Sequence, residues 1–336
     1  MDLTWDESPR GWRDRGEPGP TFYATLPADH ASRADIPPGQ PILLSAASFE
    51  ALARHKGRPG ALDVPKVPAQ VSEIAVDPGG FVAASRGGYR FSWADYEGWL
   101  TRLGPRLSWA ALPDLPCEPS LAPLDRQVRA RQEQTLQWAW ELWGGHDDTE
   151  NWEVHRTHSW SYVPTVQGRT VGQYVDHAEQ LAPLLAQQFD HYHYTAYGLD
   201  LVDAFGDDDA QATRTWGQHA AQHYRVGIGS LCGRNQPSEV AELVRVVAAV
   251  AEVLPGQFHL WGVKLSCLRA LARAGLMSRV ASFDTAAFNG AFGRDLERRR
   301  QECRALGLTQ RQHALTVALP RYARKVAGVL AQQPLW

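Results

Sequence analysis

Residues 224–284 read YRVGIGSLCGRNQPSEVAELVRVVAAVAEVLPGQFHLWGVKLSCLRALARAGLMSRVASFD. Three short apolar segments in this stretch, at 224–231, 257–264 and 279–284, have the length and composition of buried β-strands. The segments between them, at 237–254 and 266–276, place apolar residues at helical spacing. Strands and helices therefore alternate here, which is typical of parallel strands joined by helical crossovers.

The same alternation extends towards the N-terminus. Five more strand-like segments lie at 21–27, 41–48, 72–81, 107–114 and 160–168, with clear helical patterns at 122–143 and 172–189. Eight strands with helical crossovers favour a closed barrel over an open sheet. We therefore predict an α/β fold, a (β/α)8 TIM-type barrel that forms one domain over 1–336, with its core at about 21–292. A long insertion at 190–222 precedes the sixth predicted strand, and C-terminal helices are expected over about 293–336.

Composition narrows the classes of function. The chain has 34 basic and 37 acidic residues and a net charge of −3, so it has no general attraction for a polyanion. Any contact with nucleic acid then needs a local basic surface.

No apolar run reaches the roughly 18 residues of a membrane span, and the polar N-terminus is unlike a signal peptide, which predicts a cytoplasmic protein with no membrane partner. The cysteines form no CxxC pair and indicate neither a disulfide framework nor a zinc ribbon; they are Cys117, Cys232, Cys267 and Cys303.

Three carboxylates follow predicted strands, where the active sites of such barrels lie. Asp77 and Asp284 each close a mostly apolar segment, and Asp114 lies in a Pro-flanked stretch after the fourth strand. Two carboxylates at a barrel mouth can act as nucleophile and as general acid and base in glycosyl transfer. The alternative interpretation is structural, because Asp is also a favoured helix N-cap and turn residue.

Other polar and Gly-rich strand ends give weaker signals. Gln167 and Gly168 can offer an amide and a close backbone approach to a planar ligand, or they can simply form a tight turn. Residues 227–233 read GIGSLCG, which matches no phosphate-binding loop pattern. Histidine pairs at 155 and 158, 191 and 193, and 219 and 223 have spacings that permit metal binding, but no carboxylate or cysteine completes a recognised ligand set. We therefore predict no metal site.

Two regions carry a resemblance to a known family. Residues 76–92 read VDPGGFVAASRGGYRFS, which resembles the DSGGFQ motif of the tRNA-guanine transglycosylase superfamily. Residues 238–292 look like the C-terminal half of that superfamily, where an HLFG-type strand is followed by a helix and then by FDS. The ordered set of strand-end motifs between about 22 and 292 carries the resemblance, since each motif alone is weak.

The resemblance implies a role for each matching position. Asp284 aligns with the nucleophile and Asp77 with the general acid and base, while Pro78 replaces a base-contacting serine of the family. Phe81 and Trp261 take the two positions that enclose the base. The remaining substrate-binding positions are Asp114, which reads the guanine edge, Gln167, Gly168, the segment Gly229, Ser230 and Leu231, and Gly262.

Departures from the family bear on the substrate. The CxCxxC and His zinc site of tRNA-acting members is represented only by Cys303, and the Arg-containing segment that reads the anticodon loop is replaced by TAAFNGAFG at 285–293. We expect no appended RNA-binding domain of the archaeal kind. The chain thus looks like the DNA-acting branch found in phages and bacterial DNA-modification clusters, which installs 7-cyano-7-deazaguanine (preQ0) or a relative.

The implied reaction exchanges guanine in DNA for a 7-deazaguanine base and needs no cofactor. The DNA would be held by a local basic rim made of Arg86, Arg90 and Lys264, each of which follows a strand-end motif. Three alternatives stay open. They are a zinc-less tRNA-guanine transglycosylase, a non-catalytic accessory subunit of such an enzyme, and a retaining glycoside hydrolase that uses the same pair of carboxylates.

Overall fold

Nine short parallel strands form a nearly closed barrel with helices on its outside. The computed structural model describes residues 19–55, 63–144, 160–197, 224–289 and 296–331. The strands are β1 (Thr21–Leu26), β2 (Ile42–Ser45), β3 (Ile74–Asp77), β4 (Leu107–Ala111), β5 (Ser161–Val163), β6 (Thr165–Val166), β7 (Val226–Ile228), β8 (Phe258–Leu260) and β9 (Val280–Thr285). The predicted TIM-type α/β barrel is confirmed.

The fifth predicted strand is observed as two pieces. β5 pairs with β4 and β6 pairs with β7, and a single residue, Pro164, separates the two pieces. Proline has no backbone N–H to donate to a ladder, although its carbonyl still accepts a bond of 2.7 Å from the N–H of Gly227. The chain itself therefore joins the two ends of the sheet and completes the ring.

Helices follow the strands as predicted. They are α1 (Ala28–Ala31), α2 (Ala46–His55), α3 (Gly80–Arg86), α4 (Trp93–Leu103), α5 (Asp125–Ala139), α6 (Val171–Tyr197), α7 (Pro237–Val253), α8 (Leu265–Arg273), α9 (Leu296–Leu306), α10 (Gln310–His313) and α11 (Leu319–Leu330). Two predicted strands, 72–81 and 257–264, are shorter in the structure, because helix α3 begins at Gly80 and a turn begins at Trp261. The first part of the predicted insertion, up to residue 197, belongs to α6, and 198–223 lie outside the described residues.

Apolar residues form separate layers inside and outside the ring. The inner layer consists of alternate strand residues that point to the barrel axis, namely Tyr23, Leu43, Ala75, Trp109 and Val163. The larger outer layer lies between strands and helices. The C-terminal helix α11 joins it, since the ring of Tyr322 lies 5.6 Å from that of Phe22 on β1.

In the described ranges no helix is both long and apolar enough to cross a bilayer.

Candidate active site

The predicted site residues lie at the carboxyl end of the barrel. Asp77 is the last residue of β3 and Asp284 the second last of β9, while Gln167 directly follows β6. Residues 229–231 and 261–262 directly follow β7 and β8. Because all the strands are parallel, these positions share one rim of the ring, which is where such barrels hold their chemistry.

Asp284 is buried and its carboxylate is surrounded by donors. The hydroxyl of Thr25 donates to Oδ2 at 2.5 Å, and the backbone N–H of Gly262 donates to Oδ1 at 2.8 Å. Nε2 of the buried His259 lies 3.4 Å from Oδ1. Gly262 has a φ of +67°, and an added Cβ there would overlap Sγ of Cys232, so only glycine suits this donor position. The carboxylate is thus oriented by the donors of Thr25 and Gly262, and His259 lies on a third side.

Asp77 stands on a sharp strand-to-helix turn. Gly79 has a φ of +89°, and an ideal Cβ on it would lie 2.6 Å from Cβ of Ala47, so the turn needs glycine. This conformation aims the N–H of Gly79 at Oδ1 of Asp77. Burial, the nearby Asp114 and, to a lesser degree, Asp284 raise the pKa of Asp77 to about 8, against the lowering effect of the Gly79 bond. At neutral pH this carboxyl is therefore mostly protonated.

Asp114 belongs to a hydrogen-bonded network that crosses three strand ends. The side-chain amide of Gln167 donates to Oδ2 of Asp114, and the hydroxyl of Ser230 donates to Oε1 of Gln167 at 2.5 Å. Ser230 in turn accepts from the backbone N–H of Cys117 at 2.6 Å. Burial raises the pKa of Asp114 to about 7, while the Gln167 bond opposes that rise. Ser230 has a φ of +54°, so it adopts a left-handed conformation that is uncommon for residues other than glycine.

Gly229 allows this network to form. An ideal Cβ at this position would overlap the Gln167 amide, lying 2.5 Å from its Oε1. The predicted close backbone approach at Gly168 also has a structural reason, because a Cβ there would lie 2.9 Å from the backbone nitrogen of Tyr174. The Tyr174 hydroxyl donates to the carbonyl of Gly229 at 2.7 Å and so fixes the two strand ends together. Leu231, the next predicted contact, is buried.

Replacing Gly229 by Ala is expected to lower the free energy of unfolding by about 1–3 kcal/mol. The new methyl group must displace the Gln167 amide, which then loses its bonds to Asp114 and Ser230. Denaturant unfolding measures the change. The matched control is Gly172→Ala in the first turn of α6, where nothing lies within 4 Å of the added Cβ and a neutral or slightly stabilising effect is expected. Equal effects of the two substitutions would contradict this account of Gly229.

The two aromatic residues predicted to enclose a base lie on opposite sides of the ring. Phe81 is in the first turn of α3 after β3 and is 54% exposed. Trp261 follows β8, which stands opposite β3 in the strand order. The indole of Trp261 is oriented by a 3.2 Å bond from its Nε1 to the hydroxyl of Thr165 and by the ring of His259, 4.2 Å away. The two residues thus follow strand ends that face each other across the ring.

The three predicted basic residues follow β3 and β8 at the carboxyl end of the barrel. Arg86 is in the last turn of the short helix α3, Arg90 follows it, and both side chains are exposed. Lys264 precedes α8 and its ammonium donates to Oδ1 of Asn235 at 2.5 Å. Arg90 is also the neighbour of Tyr89, whose hydroxyl donates to the Asp114 carbonyl at 2.8 Å. Two of the three cations are therefore on the segment that links Asp77 to Asp114.

Metal binding finds no support in the described ranges, where no group of three or more His, Cys, Asp and Glu side chains could hold an ion. The side chains of the six paired histidines lie outside the described residues.

Another histidine, His177, is buried and its Nδ1 accepts from the backbone N–H of Gln167 at 2.8 Å. Burial lowers the pKa of His177 to about 4, so it supports the Gln167 strand end as a neutral ring.

Sequence reasoning missed several residues that hold the carboxylates. Asp284 accepts from Thr25 and lies near His259, which in turn contacts Ser282. The hydroxyl of Tyr89 is hydrogen-bonded to the backbone of Asp114. The signal available for Thr25, His259 and Ser282 was the alternation of side chains along a strand, since Ser282 and Asp284 share a face of β9, as do Tyr23 and Thr25 on β1. Tyr89 lies in a loop and left no comparable signal.

Neither a scan against protein-family models nor a search of curated proteins finds a match to this chain. The arrangement of the residues at the barrel mouth therefore carries the functional argument.

Proposed function

We propose that this protein is a guanine transglycosylase that exchanges guanine in DNA for a 7-deazaguanine base such as preQ0. One observation carries the proposal. Two carboxyl groups at one barrel mouth have different environments, since Asp284 is held by hydrogen-bond donors whereas Asp77 is kept protonated at neutral pH. A nucleophile and an acid placed in this way suit the two halves of a glycosyl transfer.

Asp284 acts as the nucleophile. An electron pair on its carboxylate forms a bond to C1′ of the deoxyribose while the C1′–N9 bond breaks, and the electron pair of the broken bond leaves on N9 of the guanine. The Thr25 hydroxyl can rotate away from Oδ2, whereas the N–H of Gly262 stays on Oδ1, so Oδ2 is the oxygen expected to bond C1′. The ester carbonyl then keeps the Gly262 donor.

Asp77 transfers the proton in both halves of the reaction. In its protonated form it gives the proton to the departing guanine, and as a carboxylate it then takes a proton from the incoming deazaguanine. A pKa of about 8 is close to the value at which a group serves as acid and base in the same neutral solution. The nitrogen of the incoming base attacks C1′, and the electron pair of the C1′–O bond returns to Asp284.

The base must leave the nucleic-acid stack to reach the mouth, which costs a few kcal/mol. Stacking on Phe81 and Trp261 returns about 1–3 kcal/mol per base. Asp114, oriented by Gln167, accepts from the guanine N1–H and 2-amino group in its ionised form and repels the N1 acceptor of adenine. These contacts support guanine and its 7-deaza analogues as the bases that are exchanged.

The decisive experiment incubates the pure protein with isotope-labelled preQ0 and separate DNA and tRNA substrates, followed by nucleoside mass spectrometry. We expect the label in DNA. Label in tRNA alone would replace the proposal by the tRNA-guanine transglycosylase alternative. If neither polymer is labelled, but the protein activates a partner enzyme or releases reducing sugar, the accessory-subunit or glycoside-hydrolase alternative would replace it.

The double variant Arg86→Ala with Lys264→Ala is expected to weaken DNA binding and to flatten its salt dependence by about two units of slope, one for each lost phosphate contact. Fluorescence anisotropy over a salt series measures the slope, and calorimetry should show unchanged affinity for free preQ0. The matched control is Arg102→Ala with Arg273→Ala, since both arginines are exposed in the last turns of α4 and α8, which lead back to the opposite end of the barrel. A control that flattens the slope equally would remove these two residues from the DNA-binding rim.

A further inference from the structure

We propose that His259 is a positioning residue that donates its Nε2 proton to Oδ1 of Asp284, and that the hydroxyl of Ser282 supports this ring tautomer by donating to Nδ1. The effect on catalysis rests on the proposed function, whereas the hydrogen-bond chain itself does not. The proposal follows from the surroundings of His259 on β8 and of Ser282 and Asp284 on β9.

Both ring nitrogens of His259 face groups on β9. Nδ1 lies 2.8 Å from Oγ of Ser282, its register partner on the neighbouring strand, and Nε2 lies 3.4 Å from Oδ1 of Asp284. Within the described ranges Nε2 has no closer hydrogen-bond partner, although His259 is fully buried. A buried N–H without an acceptor is costly, so this nitrogen and the carboxylate are natural partners. Catalytic hydrogen bonds are often long before substrate binds and shorten in the complex.

The ring is neutral and only one neutral tautomer fits. Burial lowers the pKa of His259, and the charge of Arg225 acts in the same direction, against the opposing effect of Asp284. If Nδ1 carried the proton, the lone pair of Nε2 would face the carboxylate oxygen and repel it. If Ser282 donates to Nδ1, the proton lies on Nε2 and points at Asp284. The hydroxyl can rotate to donate, so the second arrangement satisfies all three groups.

Aromatic neighbours fix the plane of the imidazole. The ring centroid of His259 lies 4.2 Å from that of Trp261, 4.7 Å from that of Trp109 and 6.2 Å from that of Tyr23. The hydroxyl of Tyr23 accepts from Nε1 of Trp109 at 3.0 Å and donates to Glu73 at 2.6 Å, so the rings of Tyr23 and Trp109 are themselves held in place. The imidazole therefore cannot turn away from Asp284 without moving packed aromatic rings.

The first measurement is the nitrogen NMR spectrum of the wild-type protein with 15N-labelled histidine. We expect His259 to show a protonated Nε2 and an unprotonated Nδ1 from mildly acidic to mildly alkaline pH. Ser282→Ala should leave the proton on Nε2, because the carboxylate still opposes the other tautomer, but it should shift the Nδ1 resonance, because that nitrogen loses its donor. A wild-type ring protonated on Nδ1, or on both nitrogens near neutral pH, would overturn the proposal whatever reaction the protein catalyses.

The second measurement is the single-turnover rate of the covalent protein–DNA adduct. His259→Phe keeps the ring and removes both nitrogens, and it should slow adduct formation about tenfold to hundredfold while the affinity for free preQ0 stays unchanged. His259→Gln, which can still place an N–H near Asp284, should recover most of the rate. The control is His313→Phe in α10, a similarly buried imidazole whose Nε2 lies 2.9 Å from Glu302; it should change stability but not the rate.

The outcomes separate the two proposals. A wild-type rate in His259→Phe would show that the imidazole does not position the nucleophile, and the transglycosylase proposal would stand. Equal loss in the Phe and Gln variants would show that a side-chain N–H at this position does not restore the rate, and would overturn the donor role. If the wild type exchanges no base in any nucleic acid, the proposed function fails, and the tautomer measurement alone decides the hydrogen bond.

Discussion

Asp284→Asn is expected to reduce base exchange at least about a thousandfold and to abolish the denaturation-resistant protein–DNA adduct. An amide has no charged oxygen to bond C1′, so no covalent intermediate forms. The fold should survive, because the side-chain oxygen of asparagine can still accept from the N–H of Gly262, and the Thr25 hydroxyl can turn to accept from the new NH2 group. Exchange of labelled guanine and a denaturing gel of the protein–DNA mixture measure the two effects.

The matched control for this substitution is Asp176→Asn on the outer face of α6. It makes the same chemical change at an exposed side chain and should leave both the exchange rate and the adduct as in the wild type. Adduct formation by Asp284→Asn at the wild-type rate would remove Asp284 from the nucleophile position. Loss of cooperative unfolding would instead assign the inactivity to misfolding, so both variants are also melted.

The fold was predictable because its signal is repeated along the chain. Each strand is a short apolar run and each crossover is a helical pattern, so an error at one boundary does not disturb the order of the elements. The strand ends were less predictable. The predicted strand at 72–81 extends through Phe81, but the apolar residues end at Val76 and β3 ends at Asp77. Pro78 and the left-handed Gly79 form a turn, and α3 begins at Gly80.

The sequence indicated candidate site residues only where a side chain with suitable chemistry follows a predicted strand. Asp77, Asp114 and Asp284 stand out because each follows an apolar strand segment, at the end of the barrel where such folds hold their chemistry. Their partners are remote in sequence, since the Thr25 hydroxyl reaches Asp284 across 259 positions. Such a contact depends on the register in which β1 pairs with β9. That register is set when all the strands of the barrel pair, so it cannot be found from either segment alone.

Asp77→Asn is expected to have opposite effects on activity and on stability. Loss of the acid and base should slow base exchange about a hundredfold or more. The same variant should be more stable than the wild type at about pH 8, by up to about 5 kcal/mol in the free energy of unfolding. The amide stays neutral and its oxygen can still accept from the N–H of Gly79, so it avoids the cost of a buried charge beside Asp114.

The sign of the pH dependence follows from the two pKa values of Asp77, about 8 in the folded protein and 3.8 as the ordinary value. Between them the folded state holds a proton that the unfolded state releases, so wild-type stability falls as pH rises, by up to about 1.4 kcal/mol per pH unit for one such group. Asp77→Asn removes this contribution. Asp114 lowers the free energy of unfolding further as pH rises to its folded pKa of about 7. This effect of Asp114 remains in Asp77→Asn.

Denaturant unfolding of the wild type, Asp77→Asn and the exposed control Asp176→Asn at several pH values between about pH 5 and pH 8 measures this contribution. The advantage of Asp77→Asn over the wild type should be small at the acidic end, where the wild-type carboxyl is protonated in the folded state, and should grow steadily towards pH 8. Asp176→Asn makes the same chemical change at an exposed side chain of α6 and serves as the control for the substitution itself. Parallel pH curves for the wild type and both variants would mean that Asp77 does not retain its proton on folding. Asp77 would then lose its assignment as the acid of the reaction, even if its replacement stopped base exchange.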